Sequence, residues 1–527
     1  MALPRNAYAC IDCRLVLRRR AQQSPACTSS WRRNFTCSGP LLHTLRPATA
    51  PKETPDIKHI RQNPALYAQN CIDRNHASRA PYAARIQQLA DEARQLDHDL
   101  QAPQSRMKQV QKSISKLAAS NNDDGASTTP GKETLRLSAL RSEAQGLKEQ
   151  SRALSLRRTA CTEEIQHLAL SLPNLSSSET PVGDDPTLIG YINFDPDSPP
   201  AWTGSAETAQ RRSHVAIGTS LGLVDFASSA TTTGWGWYFL ANEGALLEHA
   251  LVQYGLSVAR QRAWTIISPP SVVYSYIADA CGFQPRDQHN EQQIWAIEQN
   301  AKDKSKPQRS LAGTAEIPLA AMYAGRHIDA SQLPVRLAAS SRCYRAEAGS
   351  RGVDTKGLYR VHEFTKVELF AWADNLPQDA APEQITSQDL FAELLDIQHQ
   401  ILSSLNLPCR ILEMPSTDLG ASATRKRDIE ALFPSRLQNA ADLEPAWGEV
   451  TSASNCTDYQ TRRLGTRSRG GAVKESRFPH TVNGTAVAVP RVLAAIIENG
   501  WDEERQLIVI PEVLRPWMGT DTIRKKK

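Results

Sequence analysis

No uninterrupted apolar run in the 527 residues reaches the roughly 18–20 positions that a membrane-spanning helix needs, so no helical span and no membrane partner is expected. The ten cysteines are scattered. Cys10 and Cys13 form one CxxC, but no second pair or histidine set follows at zinc-ligand spacing, which argues against a structural metal there. The cysteines read as reduced thiols. Acidic residues are scarce at the start: residues 1–50 hold eight arginines and a single acid, Asp12. That surplus of seven exceeds the formal net charge of +5 and leaves the remainder at −2. The body is therefore not a broadly cationic nucleic-acid binder, and any such binding must rest on a local patch.

What is present begins with that head. It is arginine-rich, acid-poor and dotted with Ser, Thr and Cys, which fits a mitochondrial transit peptide; a disordered basic tail would look similar. Arg33, Phe35 and Ser38 follow the R-x-F-x-x-S pattern of two-step cleavage in the matrix. Residues 1–50 are read as this targeting segment, with the mitochondrial matrix as the address. Behind it, a hydrophobic content of 40% and the length allow two or more domains with a substantial core.

From Ile86 the apolar residues step by three and four through Leu89, Ala93, Leu96, Leu100, Met107, Val110, Ile114 and Leu117. A second series runs Leu137, Leu140, Ala144, Leu147, Leu154, Cys161, Ile165 and Leu168. Both are heptad seams, and the turn chemistry of residues 120–132 between them predicts an antiparallel coiled-coil hairpin. Pro103 falls on the seam and is expected to kink the first arm. Residues 104–152 hold nine basic residues against five acids. Such an excess suits RNA phosphates, although a solvated helix face would carry it too.

The densest chemistry lies in RLAASSRCYRAEAGSRGVDTKGLYRVHEFTKVELFAW, residues 336–372. It reads as two β-strands joined by a glycine-rich loop. Alternation places Arg345 with Glu347, and Arg360, His362, Phe364, Lys366 and Glu368 together on one face. Val361, Thr365 and Val367 fall on the other, suited to a core. A face combining fixed cations, carboxylates and one exposed aromatic calls for a ligand.

This segment resembles motif 2 of the class II aminoacyl-tRNA synthetases, in the seryl-tRNA synthetase version. One departure is Glu363, where that family has glutamine; alternation puts it on the far face from Arg345. Four further segments resemble the family in the right order. They are GWGWYFLANEGALLEHAL at 234–251 (motif 1), LAGTAEIPL at 311–319 (the T-x-E loop), EVTSASNCTDYQTRR at 449–463, and HTVNGTAVAVPRVLAAIIEN at 480–499 (motif 3). SLPNL at 171–175 resembles the link between arm and body.

The resemblance implies an α+β fold: an antiparallel sheet of six to seven strands flanked by helices, behind an N-terminal helical hairpin. The domains would be an arm at 51–175 and a catalytic body at 176–527. The implied reaction activates serine with ATP and transfers it to tRNA(Ser), in a homodimer built on motif 1. Arg345, Glu347 and Arg491 would be catalytic. Arg345 would hold the α-phosphate and the serine carboxylate, and Glu347 the adenine amine. Phe364 would stack under the adenine with Arg491 above it. Ala346, Val361, Glu449, Val450, Thr451 and Ser452 complete the ATP set, with Glu449 and Ser452 as ligands of Mg2+. Serine would meet Thr314, Ala315, Glu316, Glu368, Asn483 and Thr485. The tRNA contacts would come from Arg106, Lys108, Lys112, Lys116, Arg136, Arg141, Lys148 and Arg152. A catalytically inactive RNA-binding relative, a class II synthetase for another amino acid, and a cytosolic form of the enzyme are the competing readings.

Overall fold

The computed structural model describes residues 46–123, 130–283, 293–347, 357–375, 384–470 and 473–525. The arginine-rich head, apart from its last five residues, and the glycine-rich loop of the motif 2 segment lie outside these. Thr44–Lys527 form one compact unit.

Two short helices, α1 (Ile57–Gln62) and α2 (Pro64–Asp73), lead into the hairpin of α3 (Tyr82–Asp123) and α4 (Pro130–Ser171). The Asp56 carboxylate caps α1 by accepting the His59 N–H at 3.0 Å, filling one of the orphan donors of a helix start. Each arm has 42 residues, about 60 Å at 1.5 Å per residue. Ion pairs join them in antiparallel register: Arg85 with Glu164, Glu92 with Arg157, Asp97 with Arg158 and Arg106 with Glu143. The seam is fully buried near the body, at Ile86, Leu89, Leu96, Cys161 and Ile165, because α1 and α2 add a second wall there. Farther out Met107, Ile114, Leu140 and Leu147 are only half-buried, although Val110 among them stays buried. α3 runs continuously through Pro103, which is buried on the seam. Its ring packing thus uses the very position at which the missing N–H was expected to disturb the helix.

The body is organised on a sheet of eight strands: β1 (Thr187–Ile192), β2 (Thr265–Ile267), β3 (Val335–Tyr344), β4 (Glu363–Ala373), β5 (Cys409–Glu413), β6 (Arg425–Leu432), β7 (Trp447–Thr457) and β8 (His480–Ala488). Their spatial order is β1-β5-β6-β7-β8-β4-β3-β2. All neighbours are antiparallel except β2 and β3, which run parallel. The sheet is thus wider than the six to seven strands expected, and one edge pair departs from the antiparallel pattern.

Three long helices cover one face: α5 (Asn242–Gln261), α7 (Ser387–Ser404) and α9 (Val489–Asn499). Two short ones, α6 (Glu316–Ala320) and α8 (Tyr459–Leu464), lie nearer the site. α7 starts with a capping box in which Thr386 and Asp389 satisfy each other's backbone N–H groups. Leu247, Leu251 and Val258 of α5, Leu394 and Ile397 of α7 and Leu493 of α9 pack on Val367, Leu369 and Ala371 of β4. The alternate residues Phe370 and Trp372 enter a second cluster on the other face, with Ile317 and Leu319 of α6. α5 comes so close to the sheet that a Cβ at Gly255 would stand 3.0 Å from Val487. Each apolar side chain buried this way contributes on the order of 1.5–3 kcal/mol.

Candidate active site

Lys366 and Glu368 follow the strand period of β4 and leave its core face, while Thr365 and Val367 turn toward α5, as alternation predicts. Glu363 pairs with Arg342 at 3.9 Å, away from the cavity, also as predicted. The period fails before residue 363 because the strand starts there. The preceding turn is set by a buried pair: His214 Nδ1 lies 2.6 Å from Glu498, and its Nε2 accepts the Leu358 N–H at 3.1 Å. Gly357 passes this imidazole at φ +77°, where a Cβ would stand 2.2 Å from Nε2.

The turn corrects two assignments, and burial within the strand a third. Val361, placed on the core face by alternation, lines the cavity. His362, placed on the ligand face, packs among Trp235, Trp237 and Trp295, and its Nδ1 lies 3.0 Å from the Arg345 carbonyl. Phe364, expected to be exposed, is buried beneath the Arg345 guanidinium, 5.2 Å above its ring.

The cavity is walled by Arg345, Glu347, Tyr359, Arg360, Val361, Phe364, Lys366, Thr485, Ala488, Pro490, Arg491 and the run Glu449–Ser452. Two strand irregularities build it. The β6–β7 register shifts between Thr451 and Glu449, and the β8–β4 register shifts between Thr485 and Val487. A bulge of this kind breaks strict alternation, which lets consecutive residues border one space. Thr451 donates its hydroxyl proton to the Thr485 carbonyl, locking the two irregular strands together. Arg360 and Lys366 had been placed on the ligand-facing side by alternation without a named role, and both line the cavity; Tyr359 and Ala488 had not been singled out, because their places depend on the turn and the bulge.

Four cations face two carboxylates across a floor of Phe364, Tyr359 and Val361. Arg491 Nη1 lies 3.1 Å from Glu449 Oε2, and Nε donates to the Tyr359 carbonyl at 3.1 Å. Burial works to raise the Glu449 pKa, but Arg491 and Lys426 outweigh it and hold the carboxyl at about 2. Arg491, which burial would lower, is raised by the same partnership. Arg360 lies 3.5 Å from Glu347. Arg345 donates to the Gly313 carbonyl at 3.3 Å, and no described carboxylate pairs with it.

Thr314, Ala315, Glu316 and Glu368 do not border this cavity; they form a buried cluster behind it. Glu368 pairs directly with Thr485 in the β8–β4 register, and Lys366 Nζ is 2.5 Å from its carboxylate. Glu316 accepts the Gln460 amide at 2.7 Å. Burial, reinforced by the Glu368 charge, pushes Glu316 up to about 7 against Lys366 and that hydrogen bond. Ala346 and Asn483 do not line the cavity; Asn483 instead accepts the Cys456 thiol at 3.4 Å.

Glu449 and the Ser452 hydroxyl are hard oxygen donors on one cavity wall. No cluster of three His, Cys, Asp or Glu side chains at metal-binding distance occurs among the described residues. One carboxylate and one hydroxyl beside a cation-lined space suit magnesium, which keeps waters and phosphate oxygens as its other ligands, rather than zinc. On the arm, Arg106, Lys108, Lys112, Lys116, Arg136, Arg141, Lys148 and Arg152 are all exposed, and Arg106 also pairs with Glu143 at 2.7 Å.

The antiparallel sheet with this cationic cavity on the face opposite its three long helices is the core of a class II aminoacyl-tRNA synthetase. Residues 299–500 match the family model of the tRNA synthetase class II core domain (G, H, P, S and T). Residues 55–176 match the seryl-tRNA synthetase N-terminal domain. The mitochondrial serine--tRNA ligase of Saccharomyces cerevisiae is 39% identical over 389 residues, which are 73% of this chain and 80% of that protein. The mitochondrial serine--tRNA ligase of Schizosaccharomyces pombe is 34% identical over 476 residues, 90% of each chain. The crystal structure of seryl-tRNA synthetase from Pyrococcus horikoshii complexed with ATP matches with a TM-score of 0.67 and 27% identity. That match covers 90% of this chain and 100% of the other. The chain belongs to the seryl-tRNA synthetase family.

Proposed function

We propose that this protein is a mitochondrial serine--tRNA ligase that activates serine with ATP and transfers it to tRNA(Ser). The observation that carries the reading is the two-part site. A cavity with four cations and an aromatic floor suits a nucleoside triphosphate, and Thr485 on its wall, with the buried Thr314, Glu316 and Glu368 beyond it, offers acceptors to an ammonium and a hydroxyl. Serine attacks the α-phosphorus through its carboxylate, forming seryl-adenylate and releasing pyrophosphate. The terminal ribose hydroxyl of the tRNA then takes the seryl group and releases AMP.

Arg345 stands between the two parts and neutralises both the serine carboxylate and the α-phosphate as they approach. Glu347 accepts from the adenine amine. Phe364 and Arg491 sandwich the base, and the Arg491 charge serves the outer phosphates. Glu449 and Ser452 would hold a magnesium ion, which when bound supplies positive charge to the triphosphate oxygens. Positioning and charge stabilisation of this kind need no covalent nucleophile.

The basic excess of the outer arm is offered to tRNA phosphates through these exposed side chains. A second copy of the chain would dock on motif 1, where Phe239, Leu246, Ile266 and Val272 are exposed apolar residues around α5 and the edge strand β2. The arginine-rich head would direct the protein to the mitochondrial matrix, as the names of the yeast relatives suggest for theirs. Serine-dependent exchange of pyrophosphate into ATP by the purified protein tests the central claim. Exchange that ignores serine, or that responds to threonine or proline instead, would overturn it.

A further inference from the structure

Gln460 is a fully buried polar residue with no part in the reaction as described above. It sits on α8, and its Nε2 donates to Glu316 Oε1 at 2.7 Å. Its Oε1 accepts the Thr481 hydroxyl at 2.8 Å. With Glu316 ionised, the carboxylate only accepts, so Gln460 presents its NH2 group to Glu316, which leaves its oxygen for the Thr481 proton. The helix that carries Gln460 is itself pinned. Arg463 donates to the Leu170 carbonyl at 3.0 Å, Arg462 pairs with Asp458 at 2.7 Å and Asp56 at 3.1 Å, and Thr461 donates to the Pro479 carbonyl at 2.8 Å. α6, by contrast, has five residues and gives the Glu316 side chain no partner of its own.

We propose that Gln460 is a positioning residue of the serine pocket, whose amide, oriented by Thr481, holds Glu316 as an ionised acceptor aimed at the serine ammonium. The proposal rests on reading Thr314–Glu316 as part of the serine pocket. A hydrogen bond donated to the charged form favours that form, against burial and the neighbouring Glu368 charge. The other charged or titratable groups around Glu316 are Lys366 on β4, Arg345 after β3, and the thiols of Cys281 and Cys456.

The test is pyrophosphate exchange by the full chain, with serine and ATP varied separately from pH 5.5 to 8, for Gln460→Leu, Thr481→Val and Glu316→Gln. Gln460→Leu is expected to raise KM for serine roughly 10- to 100-fold, the size of a lost hydrogen bond to a charged group. KM for ATP should stay within twofold. The acid limb of kcat/KM for serine should move to higher pH, because the bond that lowers the Glu316 pKa is gone. Thr481→Val keeps Gln460 but frees its amide, so it should give the same pattern in smaller measure and decides the matter if Gln460→Leu fails to fold. An unchanged serine KM in both variants, an equal rise for serine and ATP, or an unmoved acid limb overturns the proposal. Glu316→Gln separates the two claims. If it leaves serine KM unchanged, the pocket reading itself fails; if only Glu316→Gln raises serine KM, the pocket stands and the role of Gln460 falls.

Discussion

The pH dependence of serine use is the sharpest consequence of the site. Glu316 is buried beside Glu368, and its pKa rises from an ordinary 4.5 to about 7. At 1.36 kcal/mol per pH unit, the environment disfavours the charged form by roughly 3 kcal/mol. Below pH 4.5 the group is protonated in both folded and unfolded protein. Between 4.5 and 7 the folded protein keeps a proton that the unfolded chain releases, so stability from this group falls as pH rises and is lost above 7. On the proposed reading of the pocket, the serine ammonium needs the carboxylate form. In exchange assays at saturating ATP, kcat/KM for serine should therefore climb close to tenfold per unit from pH 5.5 to 6.5 and level off above 7. Bound serine replaces the missing charge partner, so it should raise the melting temperature more at pH 8 than at pH 6. Glu316→Gln should flatten the limb at a much lower activity. A wild-type profile flat from pH 5.5 to 8, or the same slope surviving in Glu316→Gln, would refute the reasoning.

Arg345→Ala should abolish serine-dependent exchange while circular dichroism shows an intact fold, because Arg345 forms no ion pair with a described carboxylate and its hydrogen bond goes to the Gly313 carbonyl; near-normal exchange would remove Arg345 from the mechanism. Alanine in place of serine would leave the buried acceptors of the pocket unpaired, and such sites reject the lacking analogue by about 10⁴–10⁵; efficient alanine-dependent exchange would argue against Glu368 and Thr485 as hydroxyl partners. Replacing residues 104–152 by a short loop should spare exchange but cut tRNA charging by orders of magnitude and flatten the salt dependence of tRNA binding; normal charging would make the arm a structural appendage. Residues 1–50 fused to a fluorescent protein should carry it into mitochondria, and a cytosolic signal would count against the assigned address.

Much of the site was legible because its elements are local. The heptad steps from Ile86 and Leu137 predicted both arms, and their ion pairs confirm the antiparallel register. The alternation of Phe364, Lys366 and Glu368 against Thr365 and Val367 survived intact, since a strand's period is a property of its own backbone. Alternation misled where it was carried past the strand: the turn at residues 357–362 sends Val361 into the cavity and His362 into a nest of tryptophans.

By itself the sequence determined which residue types were available, which segments would be helix or strand, and, through five motifs in order, the family to which the chain belongs. Only the tertiary structure decided how those residues divide. Two strand irregularities turned the run Glu449–Ser452, together with Thr485 and Ala488, toward one space, a pattern that depends on cross-strand pairing and has no local signal. The same packing buried Glu316 and Glu368 away from the cavity wall. It also brought Gln460, 144 positions away along the chain, within 2.7 Å of Glu316. Charge proximity across such separations is set by how helices and strands stack, and it is that stacking which shifts the pKa of Glu316 and shapes the pocket.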